Sequence, residues 1–371
     1  MDGVRAGRPD RGRRRRRPRV ARRAQEAIVS EPPQPPAPKH VEHETDVSAA
    51  QEATRGLVRK VLIGTLLGAL VFAGLSLYAD LAALRENLSA FRWEAFAIAL
   101  GLASGNYVLR YLRWQYYLRR IGVEVPHGES ALVFLSGFVM SVTPGKLGEV
   151  FKSLLLYESR GVSIAKTAPV VFAERLTDLI ALVLLTAAGS LSFAQGVPVA
   201  AGGAALVGFV LLASAWRPLG ERLLSLTEKL PLIHRLTPRL RVAYESLHAM
   251  TRPAPLLFAT TLATVSWGLE CVALKILLDA LPGGGLGWDA SFFAYSASTI
   301  AGAVAMMPGG LGVTEAGMTG LIEALSGGAV EAAAATAATM LTRLATLWWA
   351  VVVGAFALVA FRALFRPRSA R

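Results

Sequence analysis

The sequence predicts an all-α, polytopic helical membrane protein with six full spans plus two re-entrant Pro-Gly hairpins arranged as an inverted repeat. Three observations lead there. Of 371 residues, 53% are hydrophobic and only 18% charged, and several apolar runs reach the roughly 20 residues that cross a ~30 Å hydrocarbon layer. The runs are continuous rather than alternating, which excludes a transmembrane β-barrel. Two apolar stretches, one in each half, are broken at matching places. One runs from Phe134 and ends Pro144-Gly-Lys-Leu-Gly-Glu149; the other runs from Ala301 and ends Pro308-Gly-Gly-Leu-Gly-Val-Thr-Glu315. Pro removes a backbone donor and Gly admits left-handed dihedrals, so no helix continues undisturbed through either. Broken backbone at membrane depth is tolerated only inside protein or beside a watery cavity. Paired breaks in two halves of a chain point to a transporter-like binding site.

Three segments divide the chain. Residues 1–55 form an arginine- and proline-rich tail, with Arg13 to Arg17 in one block and Glu31-Pro-Pro-Gln-Pro-Pro-Ala-Pro38 after it. It buries too little apolar area to offset chain entropy, so disorder is expected. Residues 56–365 form the membrane domain, and residues 366–371 a short basic tail. The net charge is +13, and the dense arginine block from Arg5 to Arg23 suits anionic lipid headgroups. It is not read as a nucleic-acid site, because no folded reader accompanies it.

The first span is Leu57 to Tyr78, followed by a polar loop from Asp80 to Arg92. Trp93 to about Val108 is the second span. It leads into Arg110-Tyr-Leu-Arg-Trp-Gln-Tyr-Tyr-Leu-Arg-Arg120, whose mixed aromatics and arginines suit a membrane interface with guanidinia reaching water. Ala131 to Thr143 and Leu147 to Tyr157, too short to span, form the first hairpin. Ala168 to Phe193 and Val197 to Trp216 are spans. The basic segment Arg217 to Arg252 holds an interfacial helix, with leucines at helical spacing from Leu219 to Leu230. Leu256 to Leu278 is a span, Ser291 to Met307 and Leu311 to Leu325 the second hairpin, and Val330 to Phe361 the last span; counting each hairpin as a pair of full spans gives ten crossings in the same orientation. Positive-inside asymmetry puts both termini in the cytoplasm, with the hairpins entering from opposite faces.

Ionisable groups inside apolar segments cost about 2.5–3.5 kcal/mol each at a helix centre, so they pair or line a wet cavity. Glu149, Glu174, Arg175, Asp178, Glu270, Lys275, Glu315 and Arg343 are such groups. Guanidinium binds phosphate through paired hydrogen bonds, and helices restarting after Gly145 and after Gly309-Gly310 expose N–H groups toward an anion. The candidate substrate site is therefore Arg175, Arg343, Glu149, Glu315, Glu174, Asp178, Gly145, Gly309 and Gly310. No catalytic constellation, metal site or cofactor is expected. The single cysteine, Cys271, has no partner for a disulfide. The plainer alternative is that Glu149–Arg175 and Glu315–Arg343 are bundle-stabilising ion pairs only.

Together, Pro144-Gly-Lys-Leu-Gly-Glu149, Ala173-Glu-Arg-Leu-Thr-Asp178 and Pro308-Gly-Gly-Leu-Gly-Val-Thr-Glu315 resemble the flippase-like membrane domain of lysylphosphatidylglycerol synthases. The resemblance covers roughly residues 60–365. It implies a stand-alone member without the soluble synthase domain, since the sequence closes at Arg371. It also implies a lipid translocase, not an enzyme, moving a phosphate-bearing lipid between leaflets. An aminoacylated phospholipid or a polyprenyl-linked lipid would suit. Membrane lipids are then the partners. The alternative is a non-transporting scaffold for a glycosyl- or aminoacyl-transferase.

Overall fold

The computed structural model describes residues 63–64, 66–143, 147–191, 198, 201–205, 207–208 and 237–365. The N-terminal tail, the Leu219–Leu230 interfacial helix, Pro144-Gly145-Lys146 and the final basic residues lie outside the described residues. So does most of the expected span from Val197 to Trp216. Every described element is helical, and the described residues include no strand.

Helix α1 (Leu66–Tyr78) bends by 98° into α2 (Leu81–Ser89). The sequence placed a polar loop from Asp80 to Arg92, and most of that stretch is instead helix. Asp80 starts it: its carboxylate accepts from the Ala82 N–H at 2.9 Å, satisfying a donor that the first turn leaves open. Leu84 is buried and Leu88 packs beside it, one turn on, which fixes the helix to the bundle.

Helix α3 (Trp93–Arg120) lies along α8 (Pro253–Asp279), the most extensive helix pair among the described residues, and α7 (Thr237–Thr251) precedes α8. Ala95, Ala99 and Ala103 recur every four residues and are buried. Such small-residue rows let backbones approach closely where lipid supplies no hydrophobic drive. Polar contacts add to the packing: Asn106 donates to the Ser266 carbonyl at 2.9 Å. Thr186 on α6 (Ile164–Ser190) donates to Ser296 on α9 (Trp288–Val304) at 2.8 Å.

Among the described residues, three continuous helices are long and apolar enough to cross a membrane: α3, α8 and the run Ala332–Leu364. The bent pair α1–α2 makes a fourth if counted as one span. Helix α6 has 27 residues, about 40 Å at 1.5 Å each, but Glu174, Arg175 and Asp178 interrupt its apolar character. Many large hydrophobics point outward, among them Leu70, Ile98, Leu112, Phe172, Leu257, Val265 and Phe356, as expected of a surface solvated by lipid.

Both broken stretches fold back on themselves. In the first, α4 (His127–Ser136) tightens into a 3-10 turn (Gly137–Val142). After the break, a second 3-10 turn (Leu147–Val150) leads into α5 (Phe151–Arg160). Glu129 near the start of α4 pairs with Arg160 at the end of α5, at 3.1 and 2.8 Å from Nε, so the chain leaves where it entered. In the second, α9 returns as α10 (Val313–Leu325). Gly317 lies against Ser298, and Gly302 lies against Gly310, an antiparallel pairing.

The two hairpins have their bases at opposite ends of α8. Tyr111 on α3 binds His127 at the first base, with 3.0 Å between its hydroxyl and Nδ1, and the Tyr116 ring packs at a tilt on Phe258 at the start of α8. At the other end, Lys275 of α8 sits 5.4 Å over the Trp288 ring at the second base. Between them the two hairpins touch: Gly309 of the second is packed on the Ser141 and Val142 backbone of the first.

The last span consists of α11 (Ala332–Arg343), a π-helical turn (Leu344–Trp348) and α12 (Trp349–Leu364). Helix α12 docks the first hairpin through Gly354. A Cβ there would lie 2.6 Å from the Val139 nitrogen and 3.0 Å from the Leu135 carbonyl oxygen. Gly354→Val is therefore expected to destabilise the fold by about 1–3 kcal/mol, as overpacking does. A lower thermal midpoint in detergent would be the readout.

Candidate functional site

Helical periodicity builds the site. On α3, Tyr107, Arg110, Arg113, Trp114 and Tyr117 share one face at i, i+3, i+4 spacing and all are buried, whereas Val108, Leu112, Arg119 and Arg120 face out. On α6, Glu174, Thr177 and Asp178 share the inward face in the same way. Glu149 and Lys152 arrive from the 3-10 turn and α5, just after the first break.

These residues form one buried ionic network. Arg175 donates to Glu149 at 3.0 Å and pairs with Asp178 at 3.1 Å. Arg113 pairs with Asp178 at 2.8 Å and donates to the Thr177 hydroxyl at 3.1 Å. Lys152 bonds Glu174 at 2.6 Å and lies 3.7 Å from Glu149. Arg110 lies 3.7 Å from the other Glu149 oxygen. Four cations thus meet three carboxylates, a net charge of +1 among the described residues. Arg113 and Glu174 are 0% exposed, while the Arg175 side chain, at 19%, is the most open of the seven.

Aromatic walls enclose the network. The Lys152 ammonium sits 4.6 Å over Trp114 and 5.1 Å over Phe134, and the Arg110 guanidinium 5.1 Å over Phe138. Such faces attract cations. Gly137 leaves room for the lysine stem, since a Cβ there would fall 2.6 Å from Lys152 Cγ. Nε and one terminal nitrogen of both Arg110 and Arg113 are buried with no hydrogen-bond acceptor among the described residues. The same network also leaves Glu174 Oε1 buried without a hydrogen-bond donor among the described residues, so its donors and acceptors are both incompletely matched.

The second break is organised differently. Glu315 is 0% exposed. One of its oxygens accepts from the Gly312 N–H at 2.7 Å, and the other from Arg343 Nε at 2.5 Å. Arg343 also donates to the Gly309 carbonyl at 2.7 Å. Gly309, Gly310 and Gly312 all have positive φ, which glycine adopts without strain. The pair therefore clamps a tight turn against the end of α11. Beyond it, in the π turn, the Thr346 carbonyl also accepts from the Tyr107 hydroxyl on α3 at 3.0 Å. Tyr107 is one turn from Arg110, so the clamp and the network share a wall.

Of the residues read from sequence, Glu149, Glu174, Arg175 and Asp178 belong to the network, and Glu315, Arg343 and Gly309 to the clamp. Gly310 lies in the clamped turn, and Gly145 lies outside the described residues. Lys275 stands apart, paired with Asp279 at the end of α8. Glu270 is buried in α8 and accepts from the Tyr295 hydroxyl. The placement of Arg110 and Arg113 at a watery interface is corrected: both are buried in the network. Lys152 was not singled out. The usable signal was the shared face of Arg110, Arg113, Trp114 and Tyr117, opposite outward Val108 and Leu112.

Residues 61–354 match the family model described as lysylphosphatidylglycerol synthase TM region. A comparison with curated proteins found no match.

Proposed function

The chain belongs to the lysylphosphatidylglycerol synthase TM-region family, and we propose that this multi-pass membrane protein moves a phosphate-bearing lipid between leaflets. The observation that carries the reading is the buried network of four cations and three carboxylates, built from α3, α5, α6 and the 3-10 turn that follows the first break. Seven ionisable groups in one buried cluster are a heavy desolvation cost. Apolar residues of similar size would serve a purely structural role as well or better. Ionisable groups retained inside a membrane mark substrate or ion pathways, and guanidinium matches phosphate geometry.

In this reading six spans surround two hairpins dipping from opposite faces, an inverted-topology repeat whose hairpins touch near mid-membrane. Both termini are cytoplasmic, in a bacterial inner membrane. The phosphate reaches the network beside Arg175, its most open cation. The Arg343–Glu315 clamp holds the opposing tip as an anvil. No bond is made or broken in the lipid, so the protein acts as a translocase and not as an enzyme.

The test is transfer of headgroup-labelled phosphatidylglycerol in reconstituted vesicles. A membrane-impermeant quencher added outside reaches only the outer leaflet. Vesicles holding the protein are expected to lose fluorescence beyond that outer share, at a rate set by protein density. Quenching that stops where protein-free vesicles stop would end the proposal.

A further inference from the structure

Helix α1 lies across the seam where Gly309 of the second hairpin meets Ser141 and Val142 of the first. Gly64, Gly68 and Val71 share its inward face at i, i+4 and i+7 spacing, and each meets a different element. A Cβ on Gly64 would lie 2.9 Å from Val142 Cβ, at the end of the 3-10 turn of the first hairpin. A Cβ on Gly68 would fall 2.2 Å from the Trp348 ring in the π turn. Val71 Cγ2 lies 3.9 Å from the Cβ position of Gly312, in the turn of the second hairpin. One helix thus closes the seam from the side, against both hairpins and the last span.

The same helix is lightly held. Of the described residues from 63 to 78, only Gly64 and Gly68 are buried, and glycine brings no side chain to interlock. Leu66, Leu70 and Leu77 face outward. Among the described residues, its hydrogen bonds to the rest of the bundle reduce to Tyr78 with Glu323, at 3.3 and 3.5 Å on the exposed surface. Few buried contacts and exposed hydrogen bonds mark a segment that opens at low cost. Its neighbour α2 is fixed, packing on α11 and burying Leu84. Between the two, at the 98° bend, Asp80 has a φ of +60°. Backbone strain of this kind in a non-glycine residue gathers at switch regions. Beside Gly68, the Trp348 indole N–H is buried with no acceptor among the described residues.

From this arrangement we infer that α1 is a lateral door, which swings about Asp80 to open the hairpin seam to the bilayer. The lipid headgroup then passes along the seam while its acyl chains stay in the membrane. The inference rests on the translocase reading above and adds the element that moves. Opening also bares Trp348, whose N–H sits at the edge of an apolar ring and can donate to a phosphate or ester oxygen of the passing lipid. A permanent wall would use the same glycines for close approach. The two cases part when α1 is locked shut or pushed outward.

The experiment applies the vesicle transfer assay to the full chain with Gly64→Cys and Val142→Cys together. Their Cβ positions need to part by only about 1 Å to reach disulfide spacing, and Cys271 is fully buried, out of reach of exchange. Oxidation is expected to slow transfer of headgroup-labelled phosphatidylglycerol about tenfold or more, as blocking a gating motion does, and reductant to restore it. Gly68→Ala is the converse. Its methyl has 2.2 Å where van der Waals contact needs more, so it props α1 off Trp348, and transfer should rise about threefold. If the cross-linked chain transfers as fast as the reduced one, α1 is a fixed wall and the door is refuted. If oxidation forms no disulfide, α1 is not seated on the first hairpin and the door is refuted as well. A loss in both variants assigns α1 a structural role only. If wild type and the reduced cysteine chain both fail to move lipid, the translocase reading itself falls, and the door with it.

Discussion

Arg110→Gln is expected to slow leaflet transfer about ten- to a hundredfold while leaving the fold intact. The Arg110 guanidinium lies 3.7 Å from Glu149 and 5.1 Å from the Phe138 ring, and two of its nitrogens have no acceptor among the described residues. A charge-assisted hydrogen bond contributes about 1.5–3 kcal/mol, and about 1.4 kcal/mol is a factor of ten. Glutamine keeps much of the side-chain length but not the charge. Glu149 retains Arg175 and Lys152 as partners, so no carboxylate is stranded and unfolding is not expected. Arg119 sits on the same helix but faces out, 3.4 Å from His127. Arg119→Gln should therefore transfer lipid at the wild-type rate. The pair separates a buried anion site from a general need for positive charge on α3. Equal rates for the two variants would refute the site.

What could be read from sequence followed from residues whose chemistry acts locally. Pro308 with Gly309, Gly310 and Gly312 cannot continue a helix, and the chain turns there. Glu149 with Arg175, and Glu315 with Arg343, are the pairs expected from the cost of burying either charge alone, and both form. What the sequence hid depended on packing between distant elements. Arginines among tyrosines and tryptophans look alike at a headgroup interface and inside a polar network. Only the approach of α5 and α6 shows that Arg110 and Arg113 turn inward while Arg119 and Arg120 turn out. Lys152 was obscured for the same reason: one lysine in a short amphipathic helix ordinarily faces water. Its burial depends on Gly137 across the hairpin, which sequence spacing does not reveal. Asp80 misled in the other direction. It reads as a loop residue and acts as the cap of α2.

Arg343→Ala is expected to destabilise the protein by about 3–5 kcal/mol, the usual result of breaking a buried pair by removing one partner. Glu315 would keep the Gly312 N–H but lose its cation while fully buried, and the Gly309 carbonyl would lose its donor. The turn that meets the first hairpin would then lose its tie to α11. Arg175→Ala should cost less. The Arg175 side chain is partly open, and Glu149 and Asp178 both retain other cations. Thermal unfolding in detergent ranks the two variants. A double variant, Glu315→Gln with Arg343→Met, should regain part of the loss, because it strands no charge. The contrast bears directly on mechanism. A clamp residue lowers stability and transfer together, and its effect on transfer shrinks when the fold is restored by the double variant. A ligand residue lowers transfer at unchanged stability. If Arg343→Ala melts with wild type yet fails to move lipid, Arg343 holds phosphate, as its sequence position suggested. The second tip would then be a binding element and not a fixed anvil.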